Sequence, residues 1–325
     1  MRDASETTDA DVTFNVVWTG GSFEYLQYFV ASQIACSRAR FRFVVNACAP
    51  SQVEEMRRAA DRHPDRIIEV LVVTEELIAH GLALDAVRRC RDDGPVFAAI
   101  DPDIKANAPF VDDLLALLVG DVVAVSSATE VWSTSNVVPE GGWGVAGEHF
   151  YDRDGYTFGG PHLVLYRRDA LDATCDRWGI TLGSAGPEIP ADTRARLEEV
   201  GRSYAVYDTG KLVNILLQAD GGRVVQHELE QLVHIGGMSH YFEPSSQVVA
   251  DDGTTRPEWA RYENVRDRYL VARYTAELLD ALRTGAEPPV APDGLAPPLH
   301  AKMERVHAEV VDLMEAHRGW QSDRA

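Results

Sequence analysis

The feature that most limits what this chain can fold into is an alternation of short apolar runs with amphipathic stretches, sustained from residue 12 to about residue 126. Val12–Trp18 (VTFNVVW), Phe41–Ala47 (FRFVVNA), Ile67–Val73 (IIEVLVV), Pro95–Ile100 (PVFAAI) and Asp121–Ser126 read as strands. Between them, Ser22 heads a segment with Phe23, Leu26, Phe29, Val30 and Ile34 at helical spacing. Ser51–Asp61, Glu75–Arg91 and Pro109–Val119 carry the same kind of pattern. Each helix has one apolar stripe to bury, and each strand is apolar on both faces. The arrangement that satisfies both is an α/β fold, a Rossmann-like mostly parallel sheet with helices on both faces. Beyond residue 160, His162–Arg168 and Arg223–Gln226 read as strands. Asp169–Trp178, Asp192–Val200, Thr209–Ala219, Pro257–Arg283 and His300–His317 read as helices. The segment 128–160 is rich in Gly, Trp, Ser and Tyr without a period, and reads as loops over one end of the sheet. The expected divisions are 1–11, a polar and flexible N-terminus; 12–127 and 128–245, two halves of one domain; and 246–325, a helical extension with a Pro-rich linker at 287–298.

Charge then narrows the function. The 325 residues carry 31 Lys+Arg against 51 Asp+Glu, a formal net charge of -20. Such a field repels phosphate backbones, so nucleic-acid or anionic-membrane binding is not expected. An anionic substrate has to be met locally, by a metal ion or by backbone N–H groups. Cys36, Cys48, Cys90 and Cys175 form no CxxC pair, which argues against a thiolate metal site or a disulfide framework. No stretch approaches the ~20 apolar residues of a membrane span, and the opening MRDASETTDAD has no apolar leader core. A cytoplasmic protein is the expectation.

In sheets of this type ligands bind beyond the carboxyl ends of the strands. That places the expected functional residues at Thr19-Gly20-Gly21, Asn46 and Asp101-Pro102-Asp103. Two carboxylates just after an apolar run can hold a hard divalent cation against a diphosphate; the same tripeptide also serves as a turn or helix cap. Trp143, set in GGWG, offers an aromatic face for a sugar ring on glycine hinges, or an anchor for its loop; Trp132 reads as such an anchor. Arg167-Arg168 read as solvated strand-end charges. His149, Tyr151 and Asp152 fall on the same loop-rich stretch without a spacing that singles them out.

The succession of TGG after the first strand, DPD after the fourth, FGGPHLVLYRRDAL, YDTGKLVNILLQADGGRV and LVHIGG resembles the nucleotide-sugar-dependent glycosyltransferases of the GT-A fold, in the broad family-2 style. The likeness spans about residues 12–240. It implies that 12–127 binds the nucleotide and that 128–245 carries the acceptor and metal sites. Asp101 would face the ribose and the metal, Asp103 would ligate Mn²⁺ or Mg²⁺, and His234 would complete the shell, with His240 a weaker competitor. Thr19 and Gly20 would cradle the nucleoside, with Asn46 in reach of base or ribose where many members carry acids. Gly159 and Gly160 would admit the donor sugar, under Trp143. Asp208 would be the base of an inverting transfer; it also reads as the cap of a helix starting at Thr209. The implied partners are a UDP-sugar donor and a soluble small-molecule or glycan acceptor. The terminal helices are expected to pack on the catalytic domain or, as a homodimer, on a second subunit.

Two alternatives stay open. A sugar nucleotidyltransferase also builds a metal site from Asp residues, but its first loop should be Gly-rich and basic, whereas TGGSFEY holds no Lys or Arg. A catalytically inactive sugar-binding protein on the same fold is the other. A phosphatase with DxD on its first strand fits less well, because Ile104 and Lys105 follow the motif here.

Overall fold

The structure is a computed structural model that describes residues 7–127, 152–153, 155–160, 162–204, 206–241, 247–249, 255–257, 266–291 and 297–321. The first half builds β1 (Thr13–Gly20), α1 (Phe23–Ala35), β2 (Arg40–Cys48), α2 (Pro50–Arg62), β3 (Ile67–Thr74), α3 (His80–Cys90) and β4 (Val96–Ile100). A short β5 (Ile104–Ala106) follows at once, then α4 (Val111–Leu117) and β6 (Val122–Ser127). The second half adds β7 (Asp152–Arg153), β8 (Tyr156–Thr157), β9 (Leu163–Arg167), α5 (Arg168–Trp178), α6 (Ala191–Glu199) and α7 (Lys211–Ala219). It continues with β10 (Arg223–His227), β11 (Leu232–His234), α8 (Met238–Tyr241), β12 (Gln247–Val249), β13 (Thr255–Pro257), α9 (Arg266–Thr284) and α10 (Pro297–His317).

Seven strands form the central sheet in the order β10-β6-β9-β4-β1-β2-β3. All neighbours are parallel except β9, which runs antiparallel to both β4 and β6. The sheet is therefore α/β and mostly parallel, as the alternation predicts. The period-2 geometry of the strands sorts their side chains between two cores. Phe14, Val16 and Trp18 point to the face covered by α1, α2, α4, α9 and α10. Val17, Val44, Ala99 and Tyr166 point to the face covered by α3, α5, α6 and α7.

Three departures from the sequence reading have local causes. The helix expected from Glu75 begins only at His80, because Thr74 Oγ1 accepts the Glu76 N–H at 3.0 Å and closes a turn there. The helix expected over Pro257–Arg283 starts at Arg266 among the described residues, and Thr255–Pro257 pairs with Gln247–Val249 as a small hairpin. β5 and β11 form an antiparallel pair outside the main sheet, with Leu232 opposite Ala106 and His234 opposite Ile104. The apolar faces of α9 and α10 (Val271, Leu278, Met303, Val306, Val310, Leu313) are spent on the core of this same chain. The expected dimer through these helices thus finds no support in them. No helix among the described residues is long and apolar enough to cross a membrane.

Candidate metal centre

β4 is fully buried over Val96–Ile100, so the chain can turn only where it leaves the sheet, at Asp101. The turn is held from beneath by α1. Gln33, buried on that helix, donates its amide Nε2 to the Asp101 carbonyl at 3.0 Å and to the Ile104 carbonyl at 2.8 Å. Ser32 accepts the Ala106 N–H at 2.9 Å. Residues 101–106 are thereby fixed against a helix at three backbone groups. Gln33 was not legible as functional from the pattern; the available signal was a polar residue on the apolar stripe of α1.

Onto this turn the β5–β11 pair delivers His234. Its Nε2 lies 3.3 Å from Asp103 Oδ1 and 3.8 Å from Asp101 Oδ2. One ligand atom from each of Asp101, Asp103 and His234 falls within 4.8 Å of the others. Asp103 and His234 are buried while Asp101 is half-exposed, so the group opens towards solvent on one side. Burial pushes the Asp103 carboxyl up, but the charge and hydrogen bond of His234, with the Met238 N–H donating to its Oδ2 at 3.2 Å, outweigh this and hold it below the usual carboxylate range. Carboxylate oxygens and an imidazole nitrogen converging at this spacing are a donor set suited to a borderline-hard divalent cation. His234 Nδ1 is buried and has no hydrogen-bond partner among the described residues.

Two further histidines, not singled out by the sequence, complete the surroundings. His80, the first residue of α3, places Nε2 3.8 Å from Asp101 Oδ1. His162, just before β9, is buried and stacks on the His234 ring with centroids 4.8 Å apart and planes at 25°. Its carbonyl accepts the Asp101 N–H at 2.7 Å. The antiparallel course of β9 explains how His162 arrives here, since its first residues lie beside the last residues of β4.

The other sequence-predicted residues fall as follows. Thr19 and Gly20 end β1, next to β4, and the β1–β2 register shifts between them; Gly20 takes φ 51° and Ala47 the left-handed φ 60°. Asn46 is buried and gives both amide atoms to Ile78: Nδ2 donates to its carbonyl at 2.8 Å and Oδ1 accepts its N–H at 3.1 Å. It pins the β3–α3 connection to the end of β2. Gly159 (φ 53°) lies where a Cβ would sit 2.8 Å from Ser126 Oγ and Asn214 Nδ2. A Cβ on Gly160 would sit 2.4 Å from His162 Cε1 and Nδ1. Asp208 precedes α7, whose N-cap is Gly210 in the left-handed conformation, so the helix starts at Lys211 and not at Thr209. The Asp208 Oδ1 accepts the Thr209 N–H at 2.8 Å, and its carbonyl accepts the Lys211 N–H at 3.1 Å. Arg167 lies opposite Val96, at the far end of the sheet from the metal group, in keeping with a strand-end charge. Arg168 is not solvated as expected: its side chain is only 12% exposed, and its Nη2 donates to the carbonyls of Arg88, at 2.6 Å, and Arg91. Trp143, with Trp132, His149 and Tyr151, lies outside the described residues. His240 belongs to the short helix α8.

No protein-family model matches the chain, and no curated protein does. Solved structures of similar shape are found. The mannosyltransferase PcManGT from Pyrobaculum calidifontis, in complex with GDP-Man and Mn²⁺, is 14% identical over 95% of this chain and 75% of its own, at a TM-score of 0.43. The galactosyltransferase LgtC, in complex with donor and acceptor sugar analogues, is 13% identical over 95% of this chain and all of its own, at 0.42. A 4-diphosphocytidyl-2C-methyl-D-erythritol synthase from Anaerococcus prevotii is 12% identical over 72% of this chain and 93% of its own, also at 0.42.

Proposed function

We propose that the chain is a metal-dependent glycosyltransferase of the GT-A fold, moving a sugar from a nucleoside-diphosphate donor of the UDP-sugar type to a hydroxyl of a soluble acceptor. The observation that carries this reading is the convergence of Asp101, Asp103 and His234 beyond the carboxyl end of β4. Their donor set fits Mn²⁺ or Mg²⁺, and a chain with a formal net charge of -20 needs a local cation to hold a diphosphate. Bound there, the metal would supply charge neutralisation for the departing nucleoside diphosphate.

The remaining work falls to the chain's own groups. Gly20, with the ends of β1 and β2, presents backbone to the nucleoside, and Asn46 holds the neighbouring connection in place. Gly159 and Gly160, whose Cβ positions are already taken up by Ser126, Asn214 and His162, offer backbone to the donor sugar. Asp208 takes the proton of the acceptor hydroxyl as its oxygen bonds to the anomeric carbon from the face opposite the departing nucleoside diphosphate, whose bond to that carbon breaks; this single displacement inverts the configuration. In this reading residues 12–127 bind the nucleotide and 128–245 complete the metal and acceptor sites of the same domain.

Donor hydrolysis gives the test, because it needs no knowledge of the acceptor. The chain is incubated with UDP-, GDP- and dTDP-sugars, with Mn²⁺ and after chelation, and release of nucleoside diphosphate is followed chromatographically. Mn²⁺-dependent release from one class of donor is expected. Release of pyrophosphate from a nucleoside triphosphate and a sugar 1-phosphate would replace this reading by the nucleotidyltransferase. Binding of a nucleotide sugar without any turnover in the presence of sugar acceptors would favour the inactive sugar-binding protein.

A further inference from the structure

Metal-bound histidines usually have the second ring nitrogen hydrogen-bonded to a carboxylate or carbonyl, and that bond sets the plane of the ring. His234 lacks this device: its Nδ1 is buried with no partner among the described residues. Yet its Nε2 is aimed at Asp103 Oδ1, 3.3 Å away. The ring contact in place of a second hydrogen bond is His162, stacked at 4.8 Å between centroids. The stack in turn depends on a missing side chain. Gly160, two residues before His162, has no Cβ, and one built there would lie 2.4 Å from two atoms of the His162 ring.

The geometry points to His162 as a positioning residue of the metal centre, which fixes the His234 ring plane by stacking and is itself seated by the missing side chain of Gly160. This rests on the metal-centre reading above and deepens it. It also gives Gly160 a role independent of the donor sugar. The inference concerns the ring face of His162 and not its nitrogens, so an apolar ring should serve equally well. A broken stack lets the His234 ring rotate about its Cβ–Cγ bond, and the third ligand is lost from the set.

The test measures Mn²⁺ affinity by electron paramagnetic resonance on the full chain without donor, alongside the thermal midpoint. His162→Ala should weaken Mn²⁺ binding about 10–100-fold, the range for loss of an outer-shell partner. His162→Phe should restore most of it, since it keeps a flat ring of similar size. Gly160→Ala should produce a comparable loss in the wild-type background and little further loss in the His162→Ala background, because both act through the same ring. Mn²⁺ affinity unchanged in His162→Ala would overturn the inference alone. So would loss of affinity in His162→Phe with an unaltered thermal midpoint, which would make a ring nitrogen the working group. A wild-type chain that binds no Mn²⁺ would overturn the metal centre itself, and the inference with it.

Discussion

Lys105 follows the DPD turn on β5 and is buried, yet its ammonium is paired across the molecule with α10: Nζ lies 2.7 Å from Glu309 Oε2 and 2.6 Å from Asp312 Oδ2. The three side chains are not equally desolvated, at 4% exposed for Lys105, 29% for Glu309 and 71% for Asp312. This asymmetry predicts unequal mutational costs. Removing the charge from both acids (E309Q with D312N) strands an ammonium inside the fold. Stranding a buried charge costs ~3–5 kcal/mol, and the exposed Asp312 side of the site admits some water, which lowers the expectation to about 2–3 kcal/mol. Removing the lysine instead (K105M) leaves two carboxylates close to water and fills the space with a chain of similar length. That change should cost less than about 1 kcal/mol. The triple variant strands nothing and should be about as stable as K105M alone. Urea unfolding of the four chains reads these differences as midpoint shifts at constant slope. A K105M chain less stable than the double variant, or a triple variant as unstable as the double, would refute the desolvation argument.

Acid stability should depend on Glu69, whose carboxylate takes hydrogen bonds from Arg91 that, against burial and together with Arg42, hold it down to about 2. A carboxyl lowered in the folded state contributes stability above its unfolded value of ~4.3 and loses it as pH falls towards the folded one. Glu69→Gln should therefore flatten the stability profile between those two pH values, and an unchanged acid-unfolding curve would contradict this. Gly159→Ala places a side chain at a left-handed φ and against Ser126 and Asn214; the backbone alone should cost ~1–2 kcal/mol, seen as a lowered thermal midpoint. Asp208→Asn keeps an oxygen for the Thr209 N–H but removes the proposed base. It should fold and bind donor while turning over ~10²–10⁴ more slowly, and near-normal turnover would reduce Asp208 to a turn residue.

How far the fold can be read from the chain depends on the length of each signal. β1 to β4 are long apolar runs bounded by Thr-Gly-Gly, Pro and Asp, and their observed limits lie within two residues of the expected ones. β5 and β11 span three residues each, too short for any periodicity, and they pair only because the chain doubles back after residue 230. Direction is equally hidden: His162–Arg168 has the composition of a buried strand, and nothing in it tells that it runs against its neighbours. That missing direction concealed the stacked His162, because a parallel strand would carry its first residue to the opposite end of the sheet. Asp101 and Asp103 were legible because a paired-carboxylate turn at a strand end is a local pattern. Gln33 and His80 act on the turn only through tertiary contacts, from helices remote in sequence.

In the proposed function Asp101, Asp103 and His234 form one divalent-cation site that recruits a nucleoside diphosphate. Its most direct measurement is a calorimetric titration of wild type and Asp103→Asn with UDP, GDP and dTDP, each with Mn²⁺ and after chelation, with circular dichroism to check the fold. Mn²⁺ should strengthen binding of one nucleotide to the wild type and have no such effect in a folded Asp103→Asn chain. Nucleotide binding that ignores Mn²⁺ in the wild type, or an Mn²⁺ effect that survives in Asp103→Asn, would contradict this.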